Sequence, residues 1–212
     1  MNVTSQNGTV YIVDDDESFL KSVSRFLRAA GHSVQAFASA KQFLDRLSPE
    51  MRGCVLADLH MPGVNGLELQ EALAQSANPL PVVFLSAQGD IPTTVQAMRR
   101  GAEDFLTKLS PKEKLLDAVS RALVRGAQER QDRARLLELR ARFDALTPRE
   151  IEVLQHVVRG RMNKQIAEDL GIHERTVKLH RTNLTRALQV QSVAELTRLA
   201  GEAGLLKTSR QG

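Results

Sequence analysis

Five short apolar runs alternate with helix-like stretches through residues 1–125, and this alternation restricts the fold more than any other feature of the sequence. Each run is continuously hydrophobic, which is typical of strands covered on both faces, as in parallel sheets. Because every run is followed by a stretch of helical periodicity, we predict an α/β fold with a doubly wound, parallel, five-stranded sheet. The predicted strands are Val10–Val13, Val34–Phe37, Val55–Ala57, Val82–Leu85 and Phe105–Leu106.

Helix-start signals precede several of the periodic stretches between these runs. Asp16 and Ser39 are residue types that cap helix N-termini, and Pro92 and Pro111 suit the first turn of a helix. These signals support a helix after each strand. The predicted helices are Phe19–Ala30, Ser39–Leu47, Gly66–Gln75, Pro92–Arg100 and Pro111–Arg125.

The segment that follows the last predicted strand indicates a helix long enough to leave the sheet domain. No proline and only one glycine, Gly126, occur between Glu113 and Phe143. We expect the last helix of the first domain to extend into an exposed linker helix, with Gly126 as a candidate break. The apolar positions of this linker leave two interpretations open, a solvated spacer or a stripe that forms a dimer.

The remaining part of the chain predicts a small all-α domain. Residues 146–200 have helical periodicity, with short polar breaks at 159–162 and 171–173. Thr147 and Glu150 have the spacing of a capping box at the start of the first of these helices. We therefore predict three segments: a sheet domain at 1–125, a linker helix at 126–144 and a helical domain at 145–208.

Cysteine content, hydropathy and charge narrow the class of protein. Cys54 is the only cysteine, which excludes intrachain disulfides and cysteine-based metal sites. No apolar run approaches the roughly 18 residues of a membrane span, and no signal peptide is visible, so we expect a cytoplasmic protein without a membrane partner. Residues 1–125 carry 13 basic and 14 acidic side chains, whereas residues 126–212 carry 16 and 11. This basic excess favours a nucleic-acid-binding surface in the C-terminal part.

Acidic residues cluster where two predicted strands end. The acidic triplet 14–16 directly follows the first strand, and Asp58 directly follows the third. If these strands are neighbours, their carboxylates converge at the ligand-binding edge of the sheet, and an oxygen-only ligand set favours Mg²⁺. A capping role would explain Asp16, and a turn role would explain an isolated Asp58. Ser86 and Lys108 lie at the same edge, however, and complete a site suited to a phosphoryl group.

Four motifs occur in order in this domain. They are Val-Asp14-Asp15-Asp16, Asp58-Leu-His-Met-Pro62-Gly, Leu-Ser86-Ala and Asp104-Phe105-Leu-Thr-Lys108. Over residues 9–125 the chain therefore resembles the receiver domain of response regulators, which has a flavodoxin-like fold. The resemblance implies that Asp58 is the phosphoacceptor and that the phosphoryl donor is a sensor histidine kinase.

The same resemblance assigns roles to the other residues of the site. Asp14, Asp15, Asp58 and the backbone carbonyl of His60 would bind Mg²⁺. Lys108 would pair with a phosphoryl oxygen, and Ser86 would hydrogen-bond to the phosphoryl group. Phe105 would be the aromatic side chain that rotates inward on activation.

Leu109 departs from this family, which usually has proline after the lysine, often in a cis peptide. A cis bond before a residue other than proline costs about 2.5–4 kcal/mol, so we predict a trans bond between Lys108 and Leu109. This departure keeps a second interpretation open, a DNA-binding transcription factor that works without phosphorylation and uses its receiver as a dimer platform. A phosphatase of the haloacid-dehalogenase type is a third, but such enzymes usually carry an acid where this chain has His60.

The helical domain contains a candidate helix-turn-helix. Ile166 and Leu170 share one face of a helix that Gly171 ends, and Val177 and Leu184 face back from the next helix. The second helix of such a motif enters the major groove of DNA, so its outward side chains are the candidate DNA contacts. They are Arg175, Lys178, Leu179, Arg181 and Thr182.

Residues 146–200 resemble the LuxR-type DNA-binding domain. The resemblance is carried by three motifs: Leu-Thr147-Pro-Arg-Glu150, Asn163-Lys-Gln-Ile-Ala and Thr176-Val-Lys-Leu-His180. It implies base reading by Lys178, Leu179 and Thr182, and the combination with a receiver resembles the FixJ/NarL group of response regulators, nearer to FixJ because of Gly89-Asp90-Ile-Pro92. The implied partners are double-stranded DNA with promoter half-sites, a second copy of the chain on activation, and RNA polymerase as a further candidate. We thus expect a transcription regulator rather than an enzyme.

Overall fold

The computed structural model describes residues 8–87 and 91–205, and these form two compact units that divide between Arg130 and Gln131. Gly89 and Asp90, which contributed to the resemblance to FixJ, lie outside the described residues. The same is true of the predicted domain end at residue 208. Among the described residues, no helix is long and apolar enough to cross a membrane.

The first unit contains a parallel five-stranded sheet with the strand order β2-β1-β3-β4-β5. Because the order reverses between β1 and β3, the predicted doubly wound topology is confirmed. The register places Val13 of β1 beside Ala57 of β3, so the residues that follow each of them also lie side by side. The strands are β1 (Thr9–Val13), β2 (Ser33–Phe37), β3 (Gly53–Asp58), β4 (Val82–Ser86) and β5 (Asp104–Thr107).

Helices cover both faces of this sheet and enclose two apolar cores. Ile12, Leu56 and Leu27 belong to the core on one face, and Val13 and Phe84 belong to the core on the other. Adjacent residues of β1 thus point to opposite faces, as the alternation of side chains along a strand requires. The helices are α1 (Glu17–Ala29), α2 (Ala40–Leu44), α3 (Gly66–Gln75), α4 (Ile91–Arg99) and α5 (Lys112–Asp144).

The predicted helix starts agree with the structure to within two residues. The Asp16 carboxylate accepts hydrogen bonds from the N–H groups of Ser18 and Phe19, and Ser39 caps α2 through Gln42. Pro92 lies in the first turn of α4. The predicted capping and proline signals therefore act where the sequence placed them.

The prediction that every strand is covered on both faces is wrong for β2. Ser33, Gln35 and Ala36 are exposed, and only Phe37 of this strand is buried. The reason is position, because β2 lies at one edge of the sheet and has a strand neighbour only on one side. The other edge strand, β5, is also incompletely buried.

The second unit is all-α and begins within α5. Leu139 and Phe143, near the end of α5, are buried in the apolar core of this unit with Val153, Ile166 and Leu184. The last turns of the predicted linker helix therefore contribute to a core, whereas the sequence suggested a solvated spacer or a dimer stripe. The other helices are α6 (Pro148–Val158), α7 (Asn163–Leu170), α8 (Glu174–Leu188) and α9 (Val193–Glu202).

Candidate functional site

Three carboxylates meet at the carboxyl ends of β1 and β3. Asp14 and Asp15 directly follow β1, and Asp58 is the last residue of β3, which therefore ends one residue later than predicted. Each offers an oxygen, and these oxygens all lie within 4.8 Å of one another. Asp14 and Asp58 are buried, whereas Asp15 is exposed. The structure thus brings together the three acidic side chains that the sequence assigned to one site.

Lys108, just beyond β5, reaches both buried carboxylates. Its Nζ lies 2.6 Å from Oδ2 of Asp14 and donates a hydrogen bond of 2.8 Å to Oδ2 of Asp58. The backbone N–H of Lys108 donates to the carbonyl oxygen of Ser86 at 2.9 Å, which ties the start of the β5–α5 loop to the end of β4. Lys108 therefore neutralises part of the negative charge that the fold concentrates at this edge.

A side chain that the sequence analysis did not assign to the site completes the surroundings of Lys108. The Nζ atom lies 4.5 Å from the centroid of the Phe19 ring, a distance typical of a cation–π interaction. The sequence indicated Phe19 only as part of an apolar helix. No local pattern pairs an aromatic residue of α1 with a lysine near position 108, so this contact emerges only from the fold.

Burial and charge shift the pKa values of the two best-enclosed groups. Burial raises the pKa of the Asp14 carboxyl, although the hydrogen bonds from Lys108 and the N–H of Asp16 oppose this effect. Burial would lower the pKa of Lys108, but its hydrogen bonds with Asp14 and Asp58 outweigh this and raise the pKa instead. Asp14 is therefore a buried carboxyl whose negative charge a further cation would stabilise.

The remaining predicted residues of this site are His60, Ser86 and Phe105, and they differ in burial and in their contacts. The N–H of His60 donates to Oδ1 of Asp58 at 3.2 Å, so the backbone of His60 lies at the site. Ser86 ends β4 and is fully buried. Phe105 is half-buried, and its ring lies 6.0 Å from that of Phe84, centroid to centroid.

Leu109 occupies an open position beside the site. Its side chain is 92% exposed, and no peptide bond among the described residues is cis, which confirms the predicted trans bond after Lys108. The turn around it is closed by Thr107 and Ser110, whose hydroxyl oxygens are 3.0 Å apart. The lysine ammonium is thus held at the carboxylates although proline is absent.

The second unit contains the predicted helix-turn-helix in α7 and α8. Gly171 has a left-handed backbone conformation with φ of 63°, which ends α7 and turns the chain toward α8. Ile166, Val177 and Leu184 are buried between the helices. The two helices therefore pack through the apolar faces that the sequence indicated.

Four of the five candidate DNA contacts are exposed on α8, namely Arg175, Lys178, Leu179 and Thr182. The fifth, Arg181, is half-buried and donates a hydrogen bond of 3.0 Å to Oδ1 of Asn163 in α7. Sequence reasoning did not anticipate this bond, because the two residues are 18 positions apart and share no local pattern.

Comparisons with known proteins agree for both units. Residues 10–120 match the family model described as "Response regulator receiver domain", and residues 144–200 match "Bacterial regulatory proteins, luxR family". The response regulator protein TodT of Pseudomonas putida is 39% identical over 198 residues, 93% of this chain and 87% of TodT. The transcriptional regulatory protein FixJ of Bradyrhizobium diazoefficiens is 35% identical over 199 residues, 94% of this chain and 97% of FixJ.

Solved structures give the same result. The response regulator StyR is 46% identical and superposes with a TM-score of 0.80, covering 92% of this chain and 98% of StyR. Full-length FixJ from B. japonicum is 35% identical with a TM-score of 0.57, covering 95% and 99%. These matches exclude the phosphatase interpretation, because the family consists of transcription regulators and not enzymes. The chain belongs to the two-component response regulators that combine a receiver domain with a LuxR-type DNA-binding domain.

Proposed function

We propose that Asp58 accepts a phosphoryl group from a sensor histidine kinase and that this modification controls DNA binding by the second unit. The observation that carries the proposal is the contact of the Lys108 ammonium with Asp58 and Asp14 at the end of β3. An Asp58 oxygen attacks the phosphorus of a phosphohistidine, and the P–N bond breaks. The kinase imidazole leaves with that electron pair and takes up a proton.

The carboxylates fit the Mg²⁺ ion that receiver domains typically bind. Asp14, Asp15 and Asp58 place oxygens within 4.8 Å of one another, and burial raises the pKa of the Asp14 carboxyl, so a bound cation would stabilise its charged form. These three side chains and the His60 carbonyl would hold the ion. When bound, Mg²⁺ would offset the negative charge of the carboxylates and the phosphoryl group.

Three further residues would respond to the phosphoryl group. Lys108 already donates to Asp58 and would pair with a phosphoryl oxygen as the new charge develops. Ser86, at the end of the adjacent strand, would hydrogen-bond to another oxygen. Phe105, half-buried against Phe84, would turn further inward and carry the change to the surface around β5.

The output would be DNA binding as a homodimer. Helix α8 would enter the major groove and present Arg175, Lys178, Leu179, Arg181 and Thr182 to bases and phosphates. In a homodimer, two such helices would read promoter half-sites about one duplex turn apart. We assign the receiver to residues 1–125, the linker helix to 126–144 and the DNA-binding domain to 145–208, with RNA polymerase as a further candidate partner.

A second candidate function rests on Leu109. Its exposed side chain replaces the usual proline, which would suit a receiver that serves only as a dimer platform. The 2.8 Å contact between Lys108 and Asp58 argues against this candidate, because the ammonium remains in place. Beryllofluoride separates the two functions, since only a phosphorylatable site binds it in a Mg²⁺-dependent manner.

The test is labelling with radioactive acetyl phosphate in the presence of Mg²⁺. We expect the wild-type chain to be labelled and Asp58→Asn to lose the label, because the amide is not a nucleophile for phosphorus. Asp16→Asn is the matched control, since Asp16 acts as a helix cap and asparagine caps equally well. Labelling of Asp58→Asn at the wild-type level would contradict the assignment.

A further inference from the structure

The hydrogen bond between Arg181 and Asn163 joins the two helices of the helix-turn-helix. Asn163 is the first residue of α7, and Arg181 lies in the middle of α8. A guanidinium group donates hydrogen bonds but accepts none, so Asn163 must present its oxygen, as it does at 3.0 Å. The bond therefore fixes the guanidinium of Arg181 relative to α7.

Arg181 differs from several other cations of this unit in that no acidic side chain among the described residues pairs with it. Lys178 pairs with Glu174 of its own helix, and Arg161 pairs with Asp169. Arg181 has a neutral partner, and none of the ion pairs found within residues 131–205 involves it. Its guanidinium is therefore held in place while its positive charge remains uncompensated.

We propose that Asn163 is a positioning residue for DNA binding, which holds the uncompensated guanidinium of Arg181 against a backbone phosphate of duplex DNA. The inference rests on the proposed role of α8 in the major groove. One of the five guanidinium N–H groups is used by Asn163, and the others suit bidentate contact with a phosphate. Arg181 thereby sets the position of α8 on the duplex and does not read base identity.

The amide of Asn163 distinguishes a role in positioning Arg181 for phosphate binding from a role in only holding α7 and α8 together. An aspartate at position 163 would also accept the hydrogen bond of Arg181, and it would suit the positive N-terminal end of α7. It would, however, neutralise Arg181 and weaken any phosphate contact. Asparagine and aspartate would both hold the two helices together, but only the neutral asparagine leaves the charge of Arg181 available to a phosphate.

The test compares Asn163→Asp in the wild-type chain and in an Arg181→Gln background. Binding of the full chain to a labelled 24-base-pair duplex of random sequence, with beryllofluoride and Mg²⁺ present throughout, is followed by fluorescence anisotropy between 50 and 200 mM salt. We expect Asn163→Asp to weaken binding about tenfold and to reduce the salt slope by about 0.9, the value for one phosphate contact. In the Arg181→Gln background we expect the same substitution to weaken binding less than about twofold.

An equal loss in both backgrounds would overturn the inference, because it would reflect general repulsion between a carboxylate and DNA. Unchanged binding by Asn163→Asp would also overturn it. Circular dichroism reports whether each variant is folded. If Asn163→Asp does not fold, the binding of Asn163→Ala tests the proposal instead. We expect Asn163→Ala to bind more weakly with an unchanged salt slope, and wild-type affinity would refute the proposal. Failure of the wild-type chain to bind duplex at 50 mM salt in the presence of beryllofluoride and Mg²⁺ would instead reject the proposed function.

Discussion

Lys108 provides the positive charge that lets two buried carboxylates share one edge of the sheet. Its Nζ lies 2.6 Å from Asp14 and 2.8 Å from Asp58, and its side chain is only 15% exposed. Water therefore screens these contacts less than it screens a surface ion pair. The same arrangement would suit the phosphorylation that we propose, because the ammonium lies beside the carboxylate to which we assign the phosphoryl group.

Removing this charge should destabilise the first unit in a pH-dependent way. We expect Lys108→Met to lower the free energy of unfolding by about 2 kcal/mol at pH 7.5 without Mg²⁺, because a buried charge loses its partner. The deficit should shrink at pH 5.5. Burial raises the pKa of Asp14 and Lys108 opposes this, so the substitution raises that pKa further above its unfolded value. Protonation of Asp14 then offsets part of the lost charge, and this benefit is lost as pH rises through the folded-state pKa.

Urea titration followed by the fluorescence of Tyr11, the only tyrosine in a chain without tryptophan, measures this change. Lys112→Met is the matched control, since Lys112 is exposed and its Nζ lies 5.3 Å from the centroid of the Phe26 ring. Equal losses for the two variants, or a loss for Lys108→Met that does not depend on pH, would contradict the account.

Cys54 is a free thiol enclosed within the sheet, and we predict that it is unreactive in the native chain. The side chain is fully buried in β3, and burial raises the pKa of the thiol to about 12. Since the thiolate is the reactive form, we expect no reaction with a disulfide reagent at pH 8 on the time scale in which an exposed thiol reacts. One equivalent should react after denaturation in urea. Rapid labelling of the native chain would show that β3 is not enclosed.

The clustering of the acidic residues and Lys108 could be predicted, because each lies at or just beyond the end of a strand, and the apolar runs of the sequence reveal those strands. Asp14 and Asp58 are examples, since parallel strands necessarily bring their carboxyl ends to one edge. Phe19 beneath Lys108 and Asn163 beside Arg181 could not be predicted. Those contacts depend on side-chain directions between elements distant in sequence, which periodicity does not encode.

Gly126 lies inside a continuous helix, although glycine is unfavourable in helices. The sequence suggested a break in the long helix, but α5 continues through this residue. A Cβ atom at this position would lie 2.9 Å from the carbonyl oxygen of Gly53 and 3.1 Å from Pro81. Glycine is therefore present because the helix passes close to the start of β3, and not because the helix ends.

This close approach determines whether Gly126→Ala raises or lowers the free energy of unfolding. Gly126→Ala gains about 1 kcal/mol of helix propensity, but overpacking against a backbone oxygen costs about 1–3 kcal/mol. We expect a net loss of about 1 kcal/mol, measured by urea unfolding through Tyr11 fluorescence. Ala127→Gly, one residue further on an exposed position, controls for propensity. A gain in stability for Gly126→Ala would show that no close contact exists there.

Element types and order could be predicted almost completely, because strand and helix periods differ and the caps are local. The capping box of Thr147 and Glu150 forms as expected. Exposure of β2 could not be predicted in the same way. Edge position depends on the order of strands in the sheet, and an apolar run alone does not reveal how many strand neighbours it has.

At the scale of the whole molecule, charge divides between the two units as their proposed tasks require. Residues 1–130 have nearly balanced charge, whereas the excess of basic residues lies in 131–212. The first unit concentrates negative charge at Asp14, Asp15 and Asp58, where a cation and a phosphoryl group would be held. The second unit carries the positive charge that attracts a polyanion, so its affinity for DNA should depend on salt.

Phosphorylation of Asp58 in one unit, as we propose, changes DNA binding by the other. The most direct measurement is the dissociation constant of the full chain for a duplex selected by the wild type from a random pool, with and without beryllofluoride and Mg²⁺. We expect at least a fivefold tightening for the wild type and none for Asp58→Asn. Equal affinities of the wild type in both conditions, or the same tightening in Asp58→Asn, would contradict the account.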